Sequence, residues 1–240
     1  MQFEAPLIRA ELVRRYKRFL ADVILADGSP TTVHCPNTGS MLGCQTPGST
    51  VWLLPAANPA RKYPLGWELV EARASVLVGI NTARSNALVA EALERRLIPE
   101  LGGFARVRRE VKVEGTRTRF DFLLSGHAQG PDCYLEVKNV TAAVDDGCGV
   151  FPDAVSVRAT RHVEALAERV GRGQRGALCF CVQRADVERV RPADEIDPDY
   201  GRALRRAVAA GVEVYALGAC VTPERVRLER NLPVQLDAVL

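Results

Sequence analysis

The chain has 240 residues, of which 47% are hydrophobic and 25% are charged, the ordinary balance of a globular protein. This length leaves room for one large domain or two small ones, each with its own core. The formal net charge of +3 at pH 7 permits an acidic partner without demanding one. No apolar run has the length of a transmembrane helix or the pattern of a signal peptide. We therefore expect a cytoplasmic protein with no membrane partner.

The seven cysteines include no C-x-x-C pair. An odd number without metal-ligand spacing favours reduced, buried thiols over a disulfide framework. His34, Cys35 and Cys44 could be imagined as zinc ligands, but their spacing fits no standard zinc site and a fourth ligand is missing.

Residues 1–80 predict an all-β domain. Five short segments are rich in branched or aromatic residues and are separated by turn residues such as Asp27-Gly28 and Pro47-Gly48. The predicted strands cover residues 7–13, 18–26, 31–35, 50–54 and 67–73. Five short strands without a helical period favour a small closed barrel, for which an OB-fold is the natural candidate.

Two stretches of this region have the composition of a nucleic-acid contact. In the first, cations alternate with rings, which suits the phosphates and stacked bases of a single strand. It consists of Arg14, Arg15, Tyr16, Lys17, Arg18 and Phe19. The same run would equally serve to guard an exposed strand edge with charge. The second is the loop over residues 35–44, where Asn37 and Thr38 offer hydrogen bonds and glycines allow close backbone approach, or simply make a tight turn.

The sequence pattern changes period at about residue 81, where we place a domain boundary. Residues 87–97 predict a helix with one broad apolar face, preceded by helix-start residues such as Ser85. Strands are predicted over residues 105–114 and 117–124. Further on, Asp145-Asp146-Gly147 lacks the regular acid spacing of an EF-hand and predicts a turn.

The segment R-T-R-F-D-F-L-L, and the C-Y-L-E-V-K that follows it, predict neighbouring short strands. Strand alternation sets Asp121 on the face opposite to Phe120 and Phe122, and it points Glu136 and Lys138 to one side together. Two carboxylates and an ammonium at one place suit a hard divalent cation and a water nucleophile. The same pattern also fits an amphipathic hairpin with solvated charges.

The last third alternates between helix and strand. A helix from about residue 157 carries Arg158, Arg161 and His162 near its start, where cations oppose the helix dipole and would better face an anion such as a phosphate. A single histidine such as His162 equally fits a structural role. A strand, a helix and a strand follow over residues 177–183, 199–210 and 212–217. This order predicts a parallel crossover in a helix-covered sheet.

These motifs are similar to those of two known groups. An Asp on one strand followed by E-x-K on the next is the core signature of the PD-(D/E)xK nuclease superfamily, which Asp121, Glu136 and Lys138 resemble. Phe120 stands where the superfamily's motif name has Pro. Longer runs resemble the sugar fermentation stimulation protein A (SfsA) family over essentially the whole chain. They are R-Y-K-R-F-L-A-D-V, H-C-P-N-T-G-S-M-L-G-C, K-Y-P-L-G-W-E-L, D-C-Y-L-E-V-K-N-V-T and F-P-D-A-V-S-V-R.

The resemblance implies an OB-fold-like nucleic-acid-binding domain over residues 1–80 and a PD-(D/E)xK nuclease-like α/β/α domain over residues 81–240. It also implies a DNA-binding protein described as a DNA/RNA nuclease, whose association with sugar metabolism is a phenotype that names no chemistry.

The superfamily further implies roles for individual residues. Asp121 and Glu136 would hold Mg²⁺ or Mn²⁺ with the backbone carbonyl of Val137, and Lys138 would orient or deprotonate the attacking water. Glu91, on the helix before the first core strand, is a candidate extra acid, although it would equally pair with Arg95 one helical turn away.

We therefore predict a metal-dependent nuclease that hydrolyses phosphodiester bonds in DNA or RNA. The alternative is a non-catalytic DNA-binding regulator, linked to sugar metabolism, that keeps the nuclease fold without using it. The presence of Asp121, Glu136 and Lys138 together favours the nuclease, since a pure binder has no need for all three charges. The oligomeric state is left open, with a homodimer as one option.

Overall fold

The computed structural model describes residues 1–58, 60–73, 75–116, 118–144 and 147–237. The predicted turn at Asp145 and Asp146 lies outside these residues. The strands of the first half are β1 (Ile8–Tyr16), β2 (Leu20–Leu25), β3 (Pro30–His34), β4 (Thr50–Pro55), β5 (Leu65–Arg73) and β6 (Val76–Gly79).

The first five strands form a closed barrel. Their order is β3-β2-β1-β4-β5, and a parallel contact between His34 and Gly66 joins β3 to β5 and closes the ring. Alternate side chains point inward because successive residues of a strand face opposite sides. The fully buried inward residues include Leu12, Val23, Val33, Val51 and Trp67. This topology confirms the predicted OB-fold, with β6 as an additional edge strand that was not predicted.

The second half contains one larger sheet with helices. Its elements are α1 (Ser85–Glu94), β7 (Arg106–Lys112), β8 (Arg119–Ser125), β9 (Cys133–Val140), β10 (Ala143–Val144), β11 (Cys148–Phe151), α2 (Val157–Gly171), β12 (Arg175–Val182), β13 (Arg189–Pro192), α3 (Pro198–Ala209), β14 (Glu213–Val221) and β15 (Val226–Asn231). The sheet order is β15-β14-β12-β9-β8-β7, with β12 parallel to both β9 and β14. The small strands β10, β11 and β13 form a separate three-stranded sheet.

Helices cover both faces of the six-stranded sheet. Leu88 and Val89 of α1 pack on one face, while Val163 of α2 and Leu204 of α3 pack on the other. The predicted α/β/α arrangement and the parallel pairing of the last strands are therefore confirmed. None of the helices in the described residues is long and apolar enough to cross a membrane.

Some local predictions were wrong. Helix α1 ends at Glu94 rather than at residue 97, since Arg96 has a left-handed φ of 56° that no helix can continue. Phe120 does not share a face with Phe122: it packs in the core under α2, whereas Phe122 packs in the core under α1. Six of the seven cysteines are buried and all seven are free thiols, as expected.

The two halves contact each other directly. The backbone N–H of Gly79 at the end of β6 donates to the carbonyl of Gln183 just after β12, at 2.8 Å. The loop between β3 and β4 reaches the segment after β11, where the Ser40 hydroxyl donates to the Asp153 carbonyl at 2.6 Å. This loop therefore lies beside the end of β9, close to the charged residues that the sequence singled out.

Candidate functional site

Asp121 on β8 is held from two sides. Its Oδ2 accepts a 2.7 Å hydrogen bond from the backbone N–H of Val137 on the neighbouring strand β9, and its Oδ1 accepts a 2.8 Å hydrogen bond from Asn86 on α1. Burial and the nearby charge of Glu136 raise the pKa of Asp121 above its ordinary value. The two carboxylates therefore lie close enough to repel each other.

Glu136 is the most enclosed charge of the cluster, with 3% of the residue exposed. Its Oε1 accepts a 2.6 Å hydrogen bond from Nζ of Lys138 and also contacts Nδ1 of His162. Burial alone would raise the pKa of Glu136, but the hydrogen bond from His162 and the charge of Lys138 lower it below its ordinary value. The second oxygen, Oε2, is buried and has no partner among the described residues.

The sequence pattern left His162 as a phosphate contact at the start of α2 or as a structural residue, and the structure places it inside the protein. Its ring turns inward against the sheet and contacts Glu136, because it lies beside Ala159 and Val163 on the buried face of α2. Arg158, one turn earlier, is exposed at the helix start. The structure thus separates the two residues: His162 joins the carboxylate cluster and Arg158 faces solvent.

The donors at this place are those that a hard cation prefers. Carboxylate oxygens of Asp121 and Glu136 and the carbonyl of Val137 belong to adjoining strands, and hard divalent cations take oxygen ligands. A buried carboxylate oxygen without a partner is costly, and Oε2 of Glu136 is such an atom. No cluster of three or more His, Cys, Asp and Glu side chains with metal-site geometry occurs in the described part of the chain. The two carboxylates therefore fit a cation only with backbone or water oxygens completing its shell.

Glu91 is predicted at this site, but the structure places it elsewhere. Its carboxylate binds the amino group of Met1 at 2.8 Å and lies 3.7 Å from Arg227 and 3.9 Å from Arg95. Glu91 follows Asn86 by five residues, so the two point to different sides of α1. Asn86 occupies the position toward Asp121 that the superfamily resemblance implies for Glu91.

A third carboxylate lies at the edge of the cluster. Glu110 on β7 has a left-handed φ of 53°, and its Oε1 lies 3.5 Å from Nδ2 of Asn86, which also contacts Asp121. Its other oxygen lies 3.6 Å from Arg119. Left-handed conformations in a strand are unfavourable for residues other than glycine and collect at functional sites. Beyond an acid inside a basic strand, no sequence signal marks Glu110.

Comparisons with known proteins match this architecture along almost the whole chain. A family model described as "SfsA N-terminal OB domain" matches residues 13–80, and one described as "Sugar fermentation stimulation protein RE domain" matches residues 83–225. The chain belongs to the sugar fermentation stimulation protein family. Curated homologues of that name are 57% identical in Alkalilimnicola ehrlichii, covering 98% of this chain and 99% of the relative, and 55% identical in Halorhodospira halophila, covering 98% of each.

A solved member of the sugar fermentation stimulation protein family has the same fold. SfsA of Pyrococcus furiosus, determined in complex with Ca²⁺, is 25% identical to this chain, covers 98% of it and is itself covered to 98%, with a TM-score of 0.87. The OB barrel followed by a nuclease-like α/β domain is thus the architecture of this family.

In the present chain, part of the basic run over residues 14–19 forms hydrogen bonds within the barrel. One guanidinium nitrogen of Arg15 donates to the carbonyl oxygens of Arg18, Asn37 and Gly39 at 2.7 to 2.9 Å. Tyr16 donates to Asp22 at 3.0 Å. Arg15 therefore ties the β1–β2 hairpin to the loop after β3, a role that the sequence pattern alone could not indicate.

Other residues of the run remain accessible. Arg14 binds Asp22 at 2.9 Å but is 68% exposed at its side chain, and it lies over the ring of Tyr16. Lys17 and Arg18 are exposed at the tip of the β1–β2 hairpin, where both have positive φ. In the neighbouring loop Asn37 is buried and Thr38 is exposed. The hairpin tip thus presents two cations beside this loop.

A basic surface that was not predicted lies on the edge strand β7. The segment R-V-R-R-E-V-K is exposed along nearly its whole length. It pairs with β8, the strand that carries Asp121. Its cations are Arg106, Arg108, Arg109 and Lys112. Both faces of β7 are exposed because the strand lies at the edge of the sheet. Strand alternation in the sequence does not indicate which strand lies at the edge.

Proposed function

We propose that this protein is a divalent-metal-dependent nuclease that hydrolyses phosphodiester bonds of DNA or RNA. The observation that carries the proposal is the unpartnered, buried Oε2 of Glu136 beside Asp121 and Lys138. Burying a carboxylate next to another carboxylate is unfavourable unless a cation compensates it. Lys138 supplies part of that compensation, and a bound cation would supply the remainder.

Asp121 and Glu136, with the carbonyl of Val137, would hold Mg²⁺ or Mn²⁺. The related P. furiosus protein was determined in complex with Ca²⁺, another hard cation with oxygen ligands, which supports a divalent-cation site of this kind. Such an ion, when bound, stabilises charge that develops on a phosphate oxygen.

The chain's own residues would position the reactants. Lys138 lies 2.6 Å from Glu136, so its ammonium can donate a hydrogen bond to a water held next to the carboxylate. The water gives up a proton as its oxygen forms a bond to phosphorus, one P–O ester bond breaks, and the leaving oxygen takes up a proton. His162 fixes the orientation of Glu136, and Asn86 fixes that of Asp121. Groups held in place before the reaction lower the cost of reorganisation during it.

The nucleic acid would run over the exposed cations. Lys17 and Arg18 at the hairpin tip and Arg158 at the start of α2 are exposed and suited to phosphate contacts, as are the arginines of β7. We place the boundary between a binding domain and a catalytic domain near residue 80, at the end of β6. The partner is DNA or RNA, with single strands preferred because rings and cations alternate on the barrel.

The test is cleavage by purified protein of labelled single-stranded DNA, double-stranded DNA and RNA, each with Mg²⁺, with Mn²⁺ or with EDTA. We expect cleavage of at least one substrate with metal and none with EDTA. Lys138→Met should lose cleavage while keeping most of its binding, since it removes one cation among many that face phosphate.

Arg161→Met is the matched control, because it removes an exposed cation of the same region and should retain cleavage. Equal trace activity in wild type and Lys138→Met would assign that activity to a contaminant. The non-catalytic DNA-binding regulator would then be the better account.

A further inference from the structure

A polar pocket of about 180 Å³ lies between the barrel loop and the end of β9. The barrel contributes Asn37, Thr38 and Gly39, and the nuclease-like half contributes Asn139, Thr141 and Asp153. The pocket is separate from the carboxylate cluster, because none of its lining residues belongs to that cluster. It begins at Asn139, one residue beyond Lys138 on the same strand.

Two buried side chains of this pocket have unused hydrogen-bonding groups. Asn37 is 3% exposed and Thr141 is 4% exposed. The Asn37 carbonyl oxygen accepts from the N–H of Gly39 at 2.8 Å. In the described part of the chain, neither the Asn37 NH₂ group nor the Thr141 hydroxyl forms a hydrogen bond, and neither is among the fully enclosed atoms without a partner, so both groups reach the open space of the pocket. An amide NH₂ group donates hydrogen bonds, and a hydroxyl both donates and accepts them. Two such groups at one small cavity are free to hydrogen-bond a ligand that enters it.

The charge of the pocket excludes a phosphate as that ligand. Asp153 is the charged residue of its described lining, and no Lys or Arg faces the cavity. An anion would meet the Asp153 carboxylate, of which Oδ2 already accepts from the N–H of Met41 at 2.9 Å. The ligand is therefore not an anion, and it has donors for Asp153 and acceptors for the Asn37 amide and the Thr141 hydroxyl.

The volume and the walls of the pocket indicate which kind of ligand fits it. A cavity of about 150 Å³ holds a benzene ring, so this pocket has room for a planar ring with polar edges. The half-buried Phe151 and the buried Val150 supply an apolar wall. A ring with hydrogen-bond donors and acceptors on its edge, lying against an apolar wall, describes a nucleobase.

We propose that this pocket binds one unpaired nucleobase of the nucleic-acid strand. The proposal rests on the proposed function in taking a nucleic acid as ligand, and it adds which part of the strand is held and where. Asn139 follows Glu136 by three strand residues, or roughly 10 Å. A base in the pocket would hold its own strand near the carboxylates and would require that base to be unstacked and unpaired. The pocket thus favours single strands, loops or ends over regular duplex.

The test measures binding in EDTA, so that it does not depend on cleavage. Short single-stranded DNA and RNA oligonucleotides are compared with copies that lack the bases but keep the sugar-phosphate chain. For each protein the readout is the ratio of the two dissociation constants, which isolates the contribution of the bases. Free nucleosides, added as competitors, show whether a base outside a strand also occupies the pocket.

Two variants remove the unused groups with little change of shape. Thr141→Val removes the hydroxyl, and Asn37→Asp removes the NH₂ donor while keeping the oxygen that binds the Gly39 N–H. We expect the ratio to fall about fivefold for each, as for the loss of one hydrogen bond. Thr31→Val, the same change on β3 outside the pocket, should leave the ratio unaltered. Thermal unfolding of each variant verifies that it is folded.

The outcomes separate this proposal from the proposed function. A lower ratio in both pocket variants, with no cleavage by wild type under any metal, would support the pocket and refute the nuclease. Cleavage by wild type with unaltered ratios in folded Thr141→Val and Asn37→Asp would refute the pocket and leave the nuclease standing. Competition by free nucleosides without any effect of the variants on strand binding would also overturn the proposal.

Discussion

The carboxylate of Asp121 accepts a 2.7 Å hydrogen bond from the backbone N–H of Val137. This bond ties the first acidic residue to the strand that carries the second, Glu136, and the lysine. Because the pairing of β8 with β9 fixes both backbones, this bond holds the Asp121 carboxylate beside β9. The distance between the two carboxylates is thus set by the sheet and not by the side chains alone.

Replacing each carboxylate by an amide should change the melting temperature of the metal-free protein in opposite directions for Asp121 and Glu136. The pKa of Asp121 is raised above 3.8 by burial and by Glu136, so its ionised form is unfavourable in the fold at neutral pH. The pKa of Glu136 is lowered below 4.5 by His162 and Lys138, so its ionised form stabilises the fold. We expect Asp121→Asn to raise the melting temperature at pH 7 and Glu136→Gln to lower it.

The directions of these two pKa shifts also determine how each effect on stability depends on pH. The contribution of Asp121 favours the fold at low pH and is lost as pH rises above 3.8, so the advantage of Asp121→Asn should shrink as pH falls toward 3.8. The contribution of Glu136 is fully present above 4.5, so the penalty of Glu136→Gln should stay constant from pH 7 down to 4.5 and shrink below it. Calorimetry in EDTA checks both, and equal pH profiles would contradict the assignment.

Divalent metal should stabilise the wild type and neither of these variants. A ligand at a hundred times its dissociation constant adds about 2.7 kcal/mol to the free energy of unfolding. We expect Mn²⁺ or Ca²⁺ to raise the melting temperature of the wild type, and the rise to be lost in Asp121→Asn and Glu136→Gln. A rise that persists in both variants would place the cation elsewhere on the molecule.

Substitutions at Asn86 and Glu91 test which residue of α1 supports the candidate site. Asn86→Ala removes the 2.8 Å hydrogen bond to Asp121, and loss of a group that orients a metal ligand typically costs 10–100-fold in metal affinity or activity. Glu91→Gln breaks the contact with the Met1 amino group and should cost at most about 1 kcal/mol of stability. Metal titration followed by cleavage assays should show a defect in Asn86→Ala alone. A catalytic defect in Glu91→Gln would instead show that Glu91 takes part in the reaction.

The basic run on the barrel should divide into structural and binding residues. Arg15→Ala removes hydrogen bonds to three carbonyl oxygens and should destabilise the protein by about 2 kcal/mol. Lys17→Ala and Arg18→Ala should leave stability nearly unchanged. They should instead lower the slope of log affinity against log salt for single strands by about 0.7 for each phosphate that the protein no longer neutralises. An unaltered slope in the double variant would assign the hairpin tip to edge protection.

Local sequence patterns predicted part of the candidate site, which contains Asp121, Glu136 and Lys138. Alternation along a strand is a local property, so it already placed Glu136 and Lys138 together, and they are in contact. The same local reasoning predicted five barrel strands and the parallel crossover. It failed at Arg96, where a left-handed residue ends α1, since one backbone conformation of this kind leaves no periodic signal.

The five barrel strands, the three helices, the parallel crossover and the family to which the chain belongs could therefore be inferred from the sequence, because period, turn residues and long motifs are encoded locally. The short strands β6, β10, β11 and β13 and the last strand β15 were not predicted. Which distant side chains meet was decided by the tertiary structure. His162 reaches Glu136 across 26 residues, Asn86 reaches Asp121 across 35, and Ser40 reaches Asp153 across 113 to form the pocket between the halves. These contacts depend on how helices and the barrel loop pack against the sheet. Packing is set by the shape and burial of the whole core, which no single segment carries.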